Sequence, residues 1–352
     1  MLVVSLLILA LLAGADAFAG MRALPVAGLR RSGVASRHTP NVAAILPHKR
    51  DLAIRSTTNE LVGEDAAAFS LGEQDLKQWG IFSVAVSGIL SVLFYAWLYE
   101  GGPHLGDQFK DLMESLAGGD TTLAIVYMLG FFAVAHSGMA SLRPRAEEII
   151  GARAWRYAFA LVSLPLAFSS IVYFINHRYD GVQLWDLRGA AGMHDFVWWS
   201  SMVSFLFLYP STFNLLEVAA VTKPELHLWE TGIARVTRHP QMVGQLVWCL
   251  AHTAYMGTSF TCATSAMLCA HHIFAVWNGD RRLQEKYGEK AELIKEQTSV
   301  VPFAAIISGK QQLPPDFYKE FLRPSYLTII GGSVLAYQLH PFMQAGAALC
   351  KW

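Results

Sequence analysis

Residues 121–140 read TTLAIVYMLGFFAVAHSGMA, a stretch that contains no Asp, Glu, Lys or Arg. A helix that crosses the hydrocarbon core of a bilayer needs about 20 mainly apolar residues, because each residue rises ~1.5 Å and the core is ~30 Å thick. The stretch therefore predicts a membrane-spanning helix. Its one histidine, His136, lies among Phe, Ala and Val residues.

Apolar segments of similar length recur along the chain. Hydrophobic residues make up 53% of the sequence and charged residues 15%, whereas a soluble domain has about 25% charged residues. We therefore predict an all-α, polytopic transmembrane helical bundle of about 6–7 spans, with the lipid bilayer as its main partner. The candidate spans are residues 80–99, 121–140, 157–175, 197–221, 242–256, 259–277 and 326–345.

Two features follow from where these segments end. Only a short linker around Gly257 separates the fifth span from the sixth, which predicts a tight helical hairpin. Residues 278–309 are amphipathic and charged. They predict either a helix at the membrane surface or a solvated helix of no special role.

The N-terminal region predicts targeting to an organelle. Residues 1–17 combine an apolar run with Ala15-Asp16-Ala17, which is typical of a signal peptide. Residues 18–58 carry seven basic residues against one acid, Asp51, and resemble a transit peptide. This bipartite address is typical of plastids acquired by secondary endosymbiosis, and the alternative is a plain secretory or mitochondrial protein. Residues 59–78 are interpreted as a linker and residues 79–352 as one membrane domain.

The charge pattern limits the partners and predicts the topology. The formal net charge is +0, so no basic excess favours nucleic acid. The loops after even-numbered spans are basic and the others acidic, which places the basic loops on the stromal side of a plastid membrane. Cys249, Cys262 and Cys269 lie in apolar segments, so a secreted disulfide framework is not expected. The sequence also lacks the glycine-rich nucleotide loops and the His-Glu-x-x-His metal motif of many soluble enzymes.

The candidate chemistry lies in histidines inside apolar segments. These are His136, His252, His271 and His272. Ionisable residues at membrane depth usually face a bundle interior, and neutral imidazole is the commonest protein ligand of haem iron. Two such histidines on different helices predict a haem held between them, although each one alone is as well explained by a hydrogen bond to a neighbouring helix. Cys249 precedes His252 by three residues and shares its helix face. It is interpreted either as a second iron ligand that alternates with His252 or as a small buried hydrophobe.

Polar residues near the ends of two spans form further candidates. Arg238 and His239 precede the fifth span and fit a carboxylate or a phosphate, such as a haem propionate. Asn214 and Glu217 in the fourth span are interpreted as contacts between helices.

Several longer motifs resemble one known family. They are AHSG (135–138), FINHRYDG (174–181), FLYPSTFNLLE (207–217), HLWETG (227–232), TRHPQMVGQ (237–245) and WNGDRR (277–282). Together they resemble the 15-cis-ζ-carotene isomerases of plants and algae, which are built on the membrane domain of the NnrU family. The resemblance covers about residues 79–352.

The resemblance implies an integral plastid-membrane enzyme that uses haem b. Its expected reaction converts 9,15,9′-tri-cis-ζ-carotene to 9,9′-di-cis-ζ-carotene. By resemblance, His136 and His252 are the axial ligands of the iron, and Cys249 replaces one of them when the iron is reduced. An electron donor and neighbouring enzymes of the carotenoid pathway are the expected partners.

Two alternatives remain open at this level. Arg238-His239-Pro240 and the segments that follow are reminiscent of isoprenylcysteine methyltransferases and membrane sterol reductases, although Asn278-Gly279-Asp280 departs from the acidic pair expected there. A haem-bearing redox subunit of the NnrU type, without enzymatic activity, is the other alternative.

Overall fold

The computed structural model describes residues 76–209, 232–322 and 324–352, and this part of the chain is helical. Within it the only β pairing is an isolated bridge between Gln183 and Thr258. The helices are α1 (Leu76–Leu93), α2 (Leu105–Leu116), α3 (Thr121–Ile150), α4 (Ala152–His177), α5 (Met193–Leu208), α6 (Ile233–Val236), α7 (Pro240–Met256), α8 (Ser259–Tyr287), α9 (Glu289–Gln297), α10 (Ala304–Ile307) and α11 (Pro324–Ala348). A π-helical turn, Phe94–Leu98, and a 3-10 helix, Phe317–Leu322, complete the set.

The prediction of an all-helical fold is confirmed for the described residues. Three helices are long and apolar enough to cross a membrane, over Thr121–Ile150, Ala154–His177 and Ser259–Glu285, and Ser83–Leu98 is a shorter apolar helix. The count of about 6–7 spans stays a prediction, because α7 is short and residues 210–221 of the fourth predicted span lie outside the described part.

Capping residues explain where two of the long helices begin. The Asp120 carboxylate accepts a hydrogen bond from the backbone N–H of Leu123, 2.9 Å away, at the start of α3. The Thr258 hydroxyl accepts one from the N–H of Thr261, 3.2 Å away, at the start of α8. Each cap satisfies a donor that the first turn of a helix leaves without a partner.

Contacts between helices form a closed circuit. The helix α3 packs on α4 and α8, the helix α8 on α7, α7 on α5, α5 on α11, and α11 returns to α4. An apolar core lies where α2, α3, α4 and the start of α8 meet, and its fully buried side chains include Ile125, Met128, Tyr173 and Phe260. The circuit leaves α3 and α7 as second neighbours, both in contact with α8.

The described chain turns lie at two ends of the bundle. At one end, called the acidic end here, the turns 117–120, 178–192 and 257–258 meet: a methyl group on Gly181 would lie 3.3 Å from Thr122 Oγ1 and 3.1 Å from Phe260 N. At the other, the basic end, Arg282 Nη1 donates to the Ala140 carbonyl at 2.8 Å and Asn278 Nδ2 to Ser141 Oγ at 3.1 Å.

The predicted hairpin between the fifth and sixth spans is present as α7 and α8. Gly257 joins them with φ of +65°, a left-handed conformation that favours glycine. A methyl group at this position would lie 2.0 Å from the Trp185 carbonyl oxygen. Backbone strain and close approach therefore both require glycine at this turn.

Residues 278–309 form several helices instead of one. The helix α8 continues to Tyr287, Gly288 breaks it, and α9 follows with Ala291 and Ile294 buried against the protein. The structure thus gives part of this segment a packed face, which neither sequence interpretation included.

Candidate functional site

His136 lies in the basic half of α3 and is held by α4. Its Nδ1 is 2.8 Å from the Ser163 hydroxyl, and its ring contacts Phe132 and Phe159 at centroid distances of 5.2 and 4.9 Å. Among the described residues no hydrogen bond reaches Nε2. When Nδ1–H donates to Ser163, the lone pair of Nε2 is available to a metal, an arrangement typical of histidine ligands.

His252 lies on α7 and has a fixed proton position. Its Nδ1 is 3.0 Å from the Trp248 carbonyl oxygen, which can only accept a hydrogen bond. The neutral ring therefore carries its proton on Nδ1 and presents an unprotonated Nε2. The Trp248 indole stacks on the ring at 3.9 Å with 20° between planes, so the ring orientation is fixed as well.

Cys249 is buried on the same helix, with 2% of its surface exposed. Gln245 Nε2 donates a hydrogen bond to its Sγ at 3.3 Å. A donor aimed at sulfur stabilises electron density on that atom, as a metal-bound or deprotonated thiol requires. The burial of the sulfur equally fits the alternative interpretation of Cys249 as a small buried hydrophobe.

The three residues lie at different levels between the two ends. Thr122 on α3 and Phe260 on α8 lie side by side at the acidic end and define a reference level. At ~1.5 Å per residue, His136 lies ~21 Å from that level along α3. The 2.6 Å contact between Thr253 Oγ1 and Ser265 Oγ puts these two residues at the same level. His252 is one residue further from Gly257 than Thr253, which places it roughly 9 Å from the reference level. Cys249 lies one helical turn closer than His252 to the level of His136.

The directions of the two helices reduce the offset in level between His136 and His252. Helical side chains lean toward the N-terminus of their own helix. The helix α3 starts at the acidic end, so His136 leans toward that end, whereas α7 starts at the basic end. The bond to Trp248, one turn back, shows that His252 leans toward the basic end. The two imidazoles therefore lean toward each other in level.

His271 is the nearest histidine to His136. The two ring centroids are 5.6 Å apart with nearly perpendicular planes, and His271 also contacts Phe132 and His272. Its Nδ1 is buried and, among the described residues, has no hydrogen-bond partner. The sequence identified His271 as an intramembrane histidine but could not pair it with His136, because the pairing depends on the relative height of α3 and α8.

Arg238 and His239 face an internal carboxylate. The Arg238 guanidinium bonds to Asp280 Oδ2 through Nε at 3.3 Å and Nη2 at 3.1 Å. His239 Nε2 lies 2.9 Å from Asp280 Oδ1. This cluster ties the start of α7 to α8, and it gives both residues a carboxylate partner from the chain itself. Sequence reasoning missed that role of Asp280, and binding of a propionate by Arg238 and His239 stays a prediction.

The donor set fits a haem better than a bare metal ion. Within the described ranges no group of three or more His, Cys, Asp or Glu side chains is arranged to hold a metal ion. Haem iron needs only one or two protein ligands, since the porphyrin supplies four. His136 and His252 offer one imidazole nitrogen each from separate helices, and aromatic rings surround both. The ligand roles of His136, His252 and Cys249 stay predictions that this chemistry fits.

Comparisons with known proteins give the family. The family model described as "NnrU protein" matches residues 124–346. A relative from Arabidopsis thaliana, "15-cis-zeta-carotene isomerase, chloroplastic", is 51% identical over 320 residues, 87% of this chain and 87% of the relative. A relative of the same name from Zea mays is 52% identical over 292 residues, 83% of this chain and 79% of the relative. No solved structure matches the chain.

The matched region contains every helix from most of α3 to most of α11, and with it His136, His252, Cys249 and Asp280. The resemblance inferred from the motifs is thereby confirmed. The chain belongs to the NnrU family, as a homologue of the plant 15-cis-zeta-carotene isomerases.

Proposed function

We propose that this protein is a haem b-dependent cis–trans isomerase that acts on the 15-cis bond of 9,15,9′-tri-cis-ζ-carotene and yields the 9,9′-di-cis isomer. The observation that carries the proposal is identity of 51% with a relative of that name over most of both chains. The fixed Nδ1 contacts of His136 and His252 support the cofactor.

The setting we propose is a multi-pass membrane protein of a plastid, reached through the bipartite N-terminal address. The relatives are named chloroplastic, and three helices have the length and composition of membrane spans. Residues 1–75, which contain the predicted signal and transit segments, lie outside the described part.

A polyene substrate requires an apolar site. It has no group to protonate and no leaving group, so acid–base residues would have little to act on. Aromatic side chains pack at the helix contacts of this region: Phe174 of α4 and Trp248 of α7 meet edge to face at 5.8 Å, and Phe132 and Phe159 flank His136. Such rings exclude water and pack against a conjugated chain.

The chain's residues would hold haem b through His136 and His252, with Cys249 as the alternative ligand. When bound, the haem supplies a redox-active iron that can interact with a π-system and lower its bond order. Ser163 and the Trp248 carbonyl orient the two imidazoles, and Gln245 supports the Cys249 sulfur. Activity should therefore require reducing conditions and an electron donor.

Expression in darkness tests the function. The mature chain would be produced in a bacterium engineered to accumulate tri-cis ζ-carotene, with darkness excluding photoisomerisation, and the isomers separated by chromatography. We expect the di-cis isomer to form with the wild-type chain and with His194→Ala, a control at an exposed histidine that contacts Tyr337. His136→Ala and His252→Ala should lose conversion together with the haem absorption band.

Two outcomes would contradict the proposal. Full conversion by haem-free protein would remove the cofactor from the reaction. Persistence of the tri-cis isomer with haem-loaded protein in the membrane would favour the non-enzymatic NnrU-type redox subunit. The methyltransferase and reductase alternative is not favoured, because the relatives that match over most of the chain carry the isomerase name.

A further inference from the structure

The α7–α8 hairpin contains a second pair of reactive groups. Cys249 lies on α7 and Cys269 on α8, and both are free thiols. The register of the hairpin brings them together. Thr253 Oγ1 and Ser265 Oγ are 2.6 Å apart across the interface. Cys249 precedes Thr253 by four residues and Cys269 follows Ser265 by four, so in an antiparallel hairpin both lie one turn further from Gly257 on the same facing sides.

The spacing at Thr253 and Ser265 indicates how closely the backbones approach. A hydroxyl oxygen and a thiol sulfur are both bonded directly to Cβ, and the 2.6 Å between the two Oγ atoms limits the separation of their Cβ atoms to about 5.5 Å, against ~3.8 Å in a disulfide. Ser265 and, one turn further from Gly257, Cys269 both interact electrostatically with the Cys249 thiol. The register of the hairpin therefore places Cys249 and Cys269 on the facing sides of the two packed helices.

We propose that Cys249 and Cys269 form a reversible dithiol–disulfide switch inside the helical hairpin. The oxidant is a lipid-soluble quinone: the two thiols lose two electrons and two protons, one S–S bond forms, and the quinone becomes the hydroquinone. A lipid-soluble reagent is required because both residues lie within apolar helices and Cys249 is almost fully buried. Cys269 is partly exposed and is the point of entry, with Cys249 as the resolving thiol.

The switch has a consequence for the proposed isomerase, and this part alone depends on that proposed function. A sulfur in a disulfide has no thiolate lone pair to offer a metal, so the oxidised hairpin cannot supply Cys249 as an iron ligand. The chain would then be inactive under oxidising conditions whatever the state of its electron donor. Reduction of the disulfide restores the ligand.

Thiol counting tests the switch on the full chain in membranes. Samples are treated in darkness with decyl-benzoquinone or with dithiothreitol, denatured in N-ethylmaleimide, then reduced and labelled with a second maleimide of different mass. The chain has four cysteines. We expect two of the four to escape the first label after quinone treatment and none after dithiothreitol. Peptide mapping should show one Cys249–Cys269 cross-link within a single chain.

Matched variants separate this pair from general oxidation. Cys269→Ser should abolish the protected thiols, whereas Cys262→Ser, a change at a partly exposed cysteine nearer the start of the same helix, should leave two. Two results with the wild type alone would overturn the proposal. One is that all four thiols remain free for alkylation after quinone treatment, and the other is a cross-link that joins other cysteines or two chains.

The isomerisation assay then distinguishes the two proposals. We expect quinone to lower dark conversion by the wild type in proportion to the cross-linked fraction, and dithiothreitol to restore it. Cys269→Ser should convert substrate and be insensitive to quinone. A cross-link that leaves conversion unchanged would keep the disulfide and contradict the role of Cys249 in the proposed function.

Discussion

At the scale of single residues, each candidate ligand has one polar partner: Ser163 for His136, the Trp248 carbonyl for His252 and Gln245 for Cys249. His136 and His252 could be selected because each lies in an apolar segment where a polar side chain requires a reason, whereas the ligand role of Cys249 was favoured only by the family resemblance. The partners Ser163, Gln245 and Trp248 could not be selected, since a hydroxyl on the next helix or a backbone carbonyl one turn back gives no distinct sequence signal. Helix-to-helix register supplies that information.

Ser163→Ala tests whether Ser163 orients His136. The change removes the hydroxyl 2.8 Å from Nδ1 in a buried position. Loss of such an outer partner weakens metal binding by roughly 10–100-fold. We expect the purified variant to retain less haem on dilution and to show a shifted haem absorption band.

The control for Ser163 is Ser170→Ala on the same helix. The Ser170 hydroxyl donates only to the Leu166 carbonyl of its own helix, at 2.9 Å. Its loss should leave haem retention at the wild-type value. Equal effects of the two changes would mean that Ser163 contributes only packing.

His271→Leu tests which histidine completes the ligand pair. If His136 and His252 hold the haem, the variant should keep a wild-type haem content, and removal of a buried nitrogen without a partner should leave thermal stability equal or higher. Quantitative haem extraction and a melting curve are the measurements. Haem loss as complete as in His136→Ala would assign the second ligand to His271.

At the scale of elements, periodic hydropathy and glycine were reliable guides. The α7–α8 hairpin turns at its predicted position because Gly257 breaks an otherwise continuous apolar run, but α8 continues past the predicted end at residue 277 to Tyr287. The helix α2 was missed because it is short and amphipathic. Its buried residues Phe109 and Met113 are separated by charged residues, so it contains no continuous apolar run. The falling hydropathy after residue 140 suggested that α3 ends there, but the helix continues through Pro144 to Ile150.

Gly257→Ala should destabilise the hairpin. The added methyl group would meet the Trp185 carbonyl at 2.0 Å and the residue would keep a φ of +65°. Strain of this kind is about 1–3 kcal/mol or more. We expect a clear fall in melting temperature, measured on the protein in lipid nanodiscs.

The matched change is Gly279→Ala inside α8. No atom lies within 4 Å of a methyl group at that position, and alanine favours a helix over glycine by about 0.5–1 kcal/mol. The melting temperature should stay level or rise. A similar fall for both variants would argue against the turn geometry described for Gly257.

At the scale of the whole molecule, the sequence predicted the helical class of the fold, which is confirmed for the described residues. It could not predict the order of helices around the circuit, because the apolar segments have similar side chains and therefore do not distinguish one partner helix from another. The contact of α11 with α4 includes hydrogen bonds from one polar residue. Asn176 Nδ2 donates to the Ala347 carbonyl at 3.1 Å and to the Trp352 carbonyl at 2.6 Å.

Asn176→Ala should loosen this closure. It removes both hydrogen bonds and leaves two carbonyl oxygens without this donor, a loss of about 1–3 kcal/mol. Limited proteolysis in detergent should cut the C-terminal helix faster than in the wild type. Gln108→Ala removes only a local, exposed bond to the Pro103 carbonyl, and its cleavage rate should not change. Unchanged cleavage in Asn176→Ala would show that other contacts hold α11.

The circuit of helices also implies an order of assembly. The hairpins α3–α4 and α7–α8 join neighbours in sequence and can form early, whereas the bond between Asn176 and Ala347 joins residues 171 positions apart and comes late. His136 and His252 belong to different hairpins. A molecule bound by both would therefore be captured only when the hairpins dock, and by mass action it would hold the finished bundle together.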